Sequence, residues 1–277
     1  MNKFRAIYPS VLLAPYIQQY WFVTMDNIVQ GSQRLVPLGC AALSIHRGNR
    51  TYSSAGNDYL PLSYLYGIAT RHTNLTFSGY VDFICIIFQP AGAKAFFRIP
   101  INELSNGYIS LDTLNDSDLI QLEQRLGEST ATDDSICIKL IEQFLINRLY
   151  LLNSDEDRRM KAMLQSICNG EGDVNRLAAT ACLSYKQFKR IFTENIGVNP
   201  KEFLQITRFQ KLHHLLQLHT EMTLAQLADE CGYYDKSHLI KEVREFSGFT
   251  PGELAKACEP IYSDYHSLFR SAFIDLP

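Results

Sequence analysis

Residues 177–203 read LAATACLSYKQFKRIFTENIGVNPKEF, and residues 227–254 repeat the same helical pattern as LADECGYYDKSHLIKEVREFSGFTPGEL. The leading leucines are 50 positions apart, whereas Gly197 precedes Gly248 by 51, so the second copy carries one additional residue in its turn. Apolar residues within each copy recur at helical spacing, which predicts a short helix, a tight turn and a second helix. Because the second helix carries cations in both copies, the repeat is typical of two units that each place one helix in the DNA major groove.

Each predicted helix start in this region has a side chain suited to cap it. A hydroxyl or amide at the cap accepts a hydrogen bond from a backbone N–H, and a Gln or Glu three residues later reaches back. Proline at the first helical position is also favourable, because its missing N–H would have no partner there. The four such starts are Ser184 with Gln187, Thr223 with Gln226, Asn199-Pro200 with Glu202, and Thr250-Pro251 with Glu253. They predict short, sharply turned helices.

The repeat divides into two helix-turn-helix units. The first is predicted to have a bracing helix at 174–181, a turn at 182–183 and a reading helix at 184–194; the second has the same parts at 224–230, 231–234 and 235–246. The residues predicted to face the core are Leu177, Ala178, Leu183, Phe188, Ile191 and Phe192 in the first unit, and Leu239, Val243 and Phe246 in the second.

The remaining residues of the two reading helices are the candidate DNA contacts. They are Ser184, Tyr185, Lys186, Gln187, Lys189 and Arg190 in the first, and Lys236, Ser237, Ile240, Lys241 and Arg244 in the second. Arg and Lys pair with guanine, Gln pairs with adenine, and an apolar side chain such as Ile240 contacts a thymine methyl. The sequence leaves open which cations contact bases and which contact phosphates.

A longer pattern supports this interpretation. Residues 228–251 contain A-x-x-x-G-[YF]-x-[DS]-x-S-H-[FL]-x-[RK]-x-[FV]-[KR]-x-x-x-G-x-[TS]-P, and residues 155–254 resemble the DNA-binding domain of the AraC/XylS family of bacterial transcription factors. The resemblance implies two helix-turn-helix units joined by one long helix, from Pro200 to about residue 218, and it implies a structural or DNA-proximal role for His238. The departures from the family pattern are Cys182 in place of a turn glycine, Leu212 in place of alanine and Val243 in place of phenylalanine.

Composition limits the class of protein and its compartment. The chain has 277 residues, 46% of them hydrophobic and 20% charged, which is ordinary for a globular protein of about two domains. Its net charge is -3, so any basic DNA-binding surface must be local. Seven cysteines without a CxxC pair, the lack of an apolar signal segment and the lack of an 18-residue apolar run predict a cytoplasmic protein with reduced thiols and no membrane partner.

The N-terminal half has a different pattern. Between residues 33 and 89, short runs rich in Val, Ile, Tyr, Thr and Phe are separated by Gly, Asn and Pro, which predicts an antiparallel sheet or a small barrel. Two amphipathic helices are predicted at 119–126 and 136–149, and NSDED at 153–157 is the predicted linker. This half resembles an uncharacterised domain found ahead of AraC-type domains, which implies a cupin-like barrel for effector sensing and dimerisation.

We therefore predict an α+β protein with three parts. Residues 1–152 form a small antiparallel β-barrel, cupin-like, with flanking helices; residues 153–255 form the all-α double helix-turn-helix domain; and residues 256–277 form a C-terminal tail. The apolar face of the helix at 136–149 is interpreted as a core face, with a dimer surface as the alternative.

Four polar residues near apolar strand positions are the candidates for an effector site: Arg34, His46, Tyr66 and Arg71. An arginine pair would favour an anionic or hydroxylated ligand. In the alternative, Arg34 and Arg71 pair with Asp82 or with solvent. We predict no metal and no cofactor, since the strands offer only His46 and His72 and no H-x-H pair.

These observations predict a sequence-specific transcriptional regulator that is not an enzyme. Its predicted partners are double-stranded DNA, a small-molecule effector, RNA polymerase and a second copy of the chain. One alternative is an enzyme of the DNA-repair type that uses the helices as a tether, although Cys40, Cys85 and Cys137 are far apart in sequence and lack the clustering of a zinc-thiolate site. Another is a sensor that modulates a second protein.

Overall fold

A computed structural model of the protein describes residues 3–128, 134–149, 154–219 and 221–257. The described residues of the N-terminal half form eight antiparallel strands. They are β1 (Lys3–Ile7), β2 (Ile17–Leu35), β3 (Ala42–His46), β4 (Tyr52–Ser53), β5 (Asp58–Tyr59), β6 (Ser63–Tyr66), β7 (Thr73–Phe88) and β8 (Tyr108–Ser110).

The sheet follows the order β1-β2-β7-β3-β6-β8, with the small hairpin β4-β5 attached to β7. The long strands β2 and β7 pair along most of their length, and their register shifts between Met25 and Ile28 and again before Gly31. Such bulges bend and twist a strand pair, so the sheet curves. Within the described residues the hydrogen-bonded path ends at β1 and β8 and does not close. The antiparallel β fold is thus confirmed, but the structure is an open, curved sheet and not a closed barrel.

Two helices cover this sheet, and both were predicted. They are α1 (Ser117–Glu128) and α2 (Asp134–Arg148). The apolar side of α2, including Ile141 and Leu145, belongs to the same buried cluster as the strand residues Tyr20 and Phe88. This face of α2 is therefore part of the core of its own chain. Among its described residues this half also contains three short 3-10 helices, at Gly92–Ala95, Ile101–Leu104 and Leu111–Leu114.

All the regular secondary structure in the described residues of the C-terminal half is helical. Its helices are α3 (Ser154–Cys168), α4 (Val174–Thr180), α5 (Tyr185–Ile196), α6 (Pro200–Leu218), α7 (Leu224–Glu230), α8 (Lys236–Ser247) and α9 (Pro251–Ala257). The predicted linker differs from the structure, because residues 154–157 form the first turn of α3. Acidic residues favour the positive N-terminal end of a helix, which explains why this polar segment is helical. Nearly all of the predicted tail lies outside the described residues.

The two halves share a contact surface. Val36 and Ile68 come from the β half, yet they are buried in the apolar cluster of the helical half. The side chain of Gln210 on α6 also donates a hydrogen bond to the carbonyl of Pro37. The helical half is therefore packed against the loops at one end of the sheet.

Candidate nucleic-acid interface

The first reading helix is α5, and its start is capped as predicted. The Ser184 hydroxyl accepts a hydrogen bond from the backbone N–H of Gln187, and the Gln187 side chain accepts one from the backbone N–H of Ser184 at 3.2 Å. The same capping box forms at Thr223 and Gln226, where α7 begins. Because the Gln187 carbonyl is engaged in the cap, a bidentate contact from Gln187 to adenine would require the cap to open.

The outer face of α5 carries the predicted cations in solvent. Tyr185, Lys186, Lys189 and Arg190 are all exposed, while Phe188 is fully buried beneath them. Arg190 is paired with Glu194 at 3.1 Å, one turn along the helix. Lys186 and Lys189 form no ion pair with another described residue. The helix α5 therefore presents two lysines that have no ion pair with a described residue, and one arginine that is paired with a glutamate.

The second reading helix, α8, repeats this arrangement. Asp235 caps it by accepting from the N–H of His238 at 2.7 Å, and Lys236, Ser237, Lys241 and Arg244 are exposed. The predicted core residues Leu239, Val243 and Phe246 are buried. Ile240 differs from the other candidates, because it is half-buried and packs against the core.

Sequence reasoning missed one exposed residue on this surface. The side chain of Tyr234, in the turn just before α8, is 92% exposed. In the sequence it stands beside Tyr233, which is buried, so the pair gave no signal of which ring faces outward.

The two turns begin in the same way, with a residue of positive φ directly after the end of the bracing helix. Cys182 has φ of 54° and Gly232, at the equivalent position of the second unit, has φ of 73°. Positive φ is costly for any residue with a β carbon and is nearly free for glycine. The departure from the family pattern at Cys182 thus leaves the turn intact but places a strained residue in it.

The connecting helix α6 holds the second unit through a buried ion pair. Arg208 on α6 donates to Glu242 on α8 at 3.1 Å, and Glu242 is only 3% exposed. The Arg208 guanidinium also lies over the ring of Tyr233 at 4.6 Å. Burial works against the charged form of Arg208, but the Glu242 carboxylate raises its pKa overall. Arg208 is therefore a structural cation and not a free part of the basic surface.

His238 belongs to the same cluster. Its ring packs edge-on against Tyr233, and its Nε2 lies 3.7 Å from the Glu242 carboxylate. Its contacts are thus those of a packing residue at the base of the reading helix.

The effector candidates do not form one site. His46 and Tyr66 line a cavity within the sheet, whereas Arg34 and Arg71 are not among the lining residues. Arg34 instead donates to the carbonyl of Ser247 at 3.1 Å, at the C-terminal end of α8. Arg71 is exposed. The alternative that pairs these arginines with Asp82 is not seen, since Asp82 is held by Arg47 at 2.7 Å.

Among the described residues, no group of three or more His, Cys, Asp or Glu side chains is placed to hold a metal ion. No helix in the same set of residues has the length and apolar character needed to span a membrane.

Comparison with known families agrees with this geometry. Residues 177–257 match the model of a helix-turn-helix domain, and residues 5–110 match a domain of unknown function, DUF6597. The C-terminal domain is an AraC-type helix-turn-helix domain. The matched range begins at Leu177 and ends at Ala257, so it includes both reading helices and the connecting helix of the AraC-type domain.

The chain is similar to several bacterial regulators. It is 29% identical over 119 residues to an uncharacterized HTH-type transcriptional regulator of Haemophilus influenzae, covering 42% of this chain and 40% of that protein. It is 26% identical over 143 residues to the HTH-type transcriptional activator RhaS of Escherichia coli, covering 48% of this chain and 50% of that one. The chain thus spans half or less of the length of these relatives.

Among solved structures, ToxT from Vibrio cholerae is 12% identical, with a TM-score of 0.46, and the alignment covers 86% of this chain and 97% of ToxT.

Proposed function

We propose that this protein is a sequence-specific DNA-binding transcription factor, and that α5 and α8 enter adjacent segments of the major groove. The observation that carries the proposal is the presence, on two copies of one motif, of exposed lysines that form no ion pair with a described residue. These are Lys186 and Lys189 on α5, and Lys236 and Lys241 on α8. Uncompensated cations on a groove-sized helix are what phosphate and base-edge contacts require.

The two reading helices differ in chemistry, which favours an asymmetric site. Arg190 and Lys241 are equivalent positions, but Arg190 shares a carboxylate with Glu194, whereas Lys241 forms no ion pair with a described residue. Lys189, next to Arg190 on α5, is exposed, whereas the equivalent residue on α8 is the half-buried Ile240. We expect α5 to contribute more of the salt-dependent affinity and α8 more of the apolar contact.

The wider assignment is part of the same proposal. We infer that residues 1–152 sense a small molecule, that residues 153–255 bind DNA, and that RNA polymerase and a second copy of the chain are further partners in the cytoplasm. The contacts from the β half to the C-terminal end of α8 support a sensing role, because through them the N-terminal half contacts a reading helix directly.

The enzymatic alternative has little support in its cysteines. Burial raises the pKa of Cys40 and of Cys85 to about 12, so both thiols are protonated at neutral pH. A reactive cysteine of the repair type requires a thiolate, which means a lowered pKa. Neither of these two cysteines is therefore suited to the chemistry of an enzyme of that class.

Selection of binding sites from random DNA, followed by a gel shift with the selected site, tests the proposal. Changing Lys189, Arg190 and Lys241 together to alanine should weaken binding by at least about tenfold, since each good contact contributes about 1 kcal/mol or more. The matched control changes Arg125, Lys139 and Arg158 to alanine, which alters net charge equally at exposed positions on α1, α2 and α3 and not on either reading helix. Equal binding by the two triple variants would refute the reading surface, and failure to select any DNA would refute the function.

A further inference from the structure

The curved sheet forms a cavity of about 100 Å³ that is partly open to solvent. Its wall includes Trp21, His46, Tyr64, Phe83 and Cys85, so residues of β2, β3, β6 and β7 all contribute. Protein interiors are close-packed and have few voids larger than a water molecule. A cavity of this size is therefore a candidate binding site for a small molecule.

The wall of the cavity carries no charge. None of its lining residues is Asp, Glu, Lys or Arg. Burial lowers the pKa of His46 to about 4 and raises that of Cys85 to about 12, so both side chains are neutral at pH 7. An ion that entered would lose its hydration without gaining a counter-charge, which is strongly unfavourable. The wall thus favours an uncharged ligand over an anion or a cation.

The wall does offer hydrogen bonds. His46 is 8% exposed, and its Nδ1 has no hydrogen-bond partner in the described part of the chain. Ser44, whose hydroxyl lies 3.4 Å from the Cys85 sulfur, and Tyr64 are further polar groups in the wall. Ligand sites combine an apolar lining with a few polar groups of this kind.

The outer face of the same wall contacts the helical half. Residues 33–35 of β2 pair with residues 73–75 of β7. Gln33, Leu35, Thr73 and Leu75 line the cavity, and because side chains alternate across a strand, Arg34 and Asn74 lie on the other face. Arg34 donates to Asn74 at 2.9 Å.

From that outer face Arg34 reaches the end of α8. It donates to the Ser247 carbonyl at 3.1 Å, and its guanidinium lies 4.3 Å from the centre of the Phe249 ring. A change in the spacing of the two wall strands would therefore move a side chain that contacts the second reading helix.

We propose that this cavity is a binding site for one small uncharged molecule with a hydrogen-bonding group, and that its occupancy is coupled to DNA binding through Arg34. A cavity of 150 Å³ holds benzene, so this one fits a ligand of roughly four to six non-hydrogen atoms. An alcohol or ketone of that size has the required chemistry. The coupling rests on the proposed DNA-binding function, whereas the binding site does not.

The fluorescence of Trp21 tests the site directly, because the chain has one tryptophan and that residue lines the cavity. The full-length protein is titrated with 1-butanol, butyrate and butylammonium, which match in size and differ in charge. We expect a saturable change with 1-butanol, in the micromolar to millimolar range set by so few atoms, and none with either ion. Saturation by an ion, or no saturable change with 1-butanol, would overturn the proposed site.

Two cavity-filling variants locate the response. Ala42→Val and Leu38→Phe each add side-chain volume at a lining position. Each is first checked for a cooperative thermal transition, and a folded variant should bind 1-butanol at least about tenfold more weakly, since it occupies the space of the ligand. Undiminished binding in a folded variant would place the response elsewhere and refute the site.

Arg34→Met tests the coupling, with Arg50→Met as the matched control. Arg50 is an arginine of the β half that donates only to backbone carbonyls of its own hairpin, Tyr59 and Leu60. In the wild type and in Arg50→Met, saturating 1-butanol should change the DNA dissociation constant by about fivefold or more, and in Arg34→Met by less than about twofold.

The outcomes separate the two proposals. If 1-butanol binds and the DNA dissociation constant stays the same in every variant, the coupling is wrong and the DNA-binding function stands. If 1-butanol binds and no DNA is bound under any condition, the proposed function is wrong and the cavity remains a ligand site.

Discussion

Gly197 and Gly248 end the two reading helices at equivalent points of the repeat, and both lie against the N-terminal half. Their φ values are 106° and 71°, which is the left-handed conformation that closes a helix. A β carbon at Gly197 would lie 3.2 Å from Ile101, and one at Gly248 would lie 2.8 Å from both Arg34 and His72. The N-terminal half therefore contacts both reading helices at the same structural point.

These contacts predict that alanine substitutions at two different glycines lower the free energy of unfolding by different amounts. Gly248→Ala should lower the free energy of unfolding by about 2–3 kcal/mol, because it adds backbone strain and displaces Arg34 from the Ser247 carbonyl. Gly232→Ala is the matched control, since Gly232 also has positive φ but has no atom within 4 Å of the added carbon. It should cost about 1 kcal/mol. Urea denaturation measures both, and equal losses would contradict the contact at Gly248.

Cys182 predicts a gain in stability. Its φ of 54° is unfavourable for a residue with a β carbon, so Cys182→Gly should raise the free energy of unfolding by about 1 kcal/mol. The control is Ala179→Gly, at an exposed position within α4, where glycine mainly adds entropy to the unfolded chain. That change should destabilise by about 1 kcal/mol. Both changes are measured by urea denaturation. Changes in the free energy of unfolding with the same sign for both variants would argue against strain in the turn.

The buried pair of Arg208 and Glu242 predicts strong coupling between α6 and α8. Arg208→Met leaves a buried carboxylate without its partner and should cost about 3–5 kcal/mol. Adding Glu242→Met should restore much of that loss, because the unpaired charge is then removed. The exposed pair Arg190 and Glu194 is the control, with a coupling below about 1 kcal/mol. Double-mutant cycles by thermal unfolding give both energies, and similar values would rule out a structural role for the buried pair.

His46 predicts a loss of stability in mild acid. Burial lowers its pKa from an ordinary value near 6.5 to about 4, so between these values the unfolded chain binds a proton that the folded chain does not. Stability is therefore full above about pH 6.5 and falls by about 3 kcal/mol as pH drops towards 4. His46→Phe keeps the ring that stacks on Phe83 and should lack this component. The difference between the two pH profiles is the measurement, and parallel profiles would show that His46 is not the cause.

The helical half was predicted closely because its signals are local. The capping residues at Ser184, Asn199 and Thr223 form the bonds that the spacing predicted, and α6 begins and ends at the expected residues. A cap needs only a side chain and an N–H three residues away, so it can be read from the sequence. The reading surface follows from the same helical period.

The N-terminal half was predicted in class but not in detail. Strand-rich composition indicates an antiparallel sheet, but closure depends on pairing between strands such as β1 and β8 that lie about 100 residues apart. The effector candidates were likewise predicted only from being polar residues near apolar strand positions. The structure brings His46 and Tyr66 to one cavity and directs Arg34 to the other face of the strand, because the two faces of a sheet differ by a single residue of register.

The sequence by itself determined that two capped reading helices with outward cations are joined by one long helix, since helical period, caps and turns act over fewer than about ten residues. The tertiary structure alone decided which cations remain free. Arg208 and Lys211 count as basic in the sequence, yet the fold brings Glu242 and Glu230 to them across 34 and 19 residues. It also decided that Gly248 meets Arg34, because a contact between residues so far apart depends on how the two halves pack and not on any local pattern.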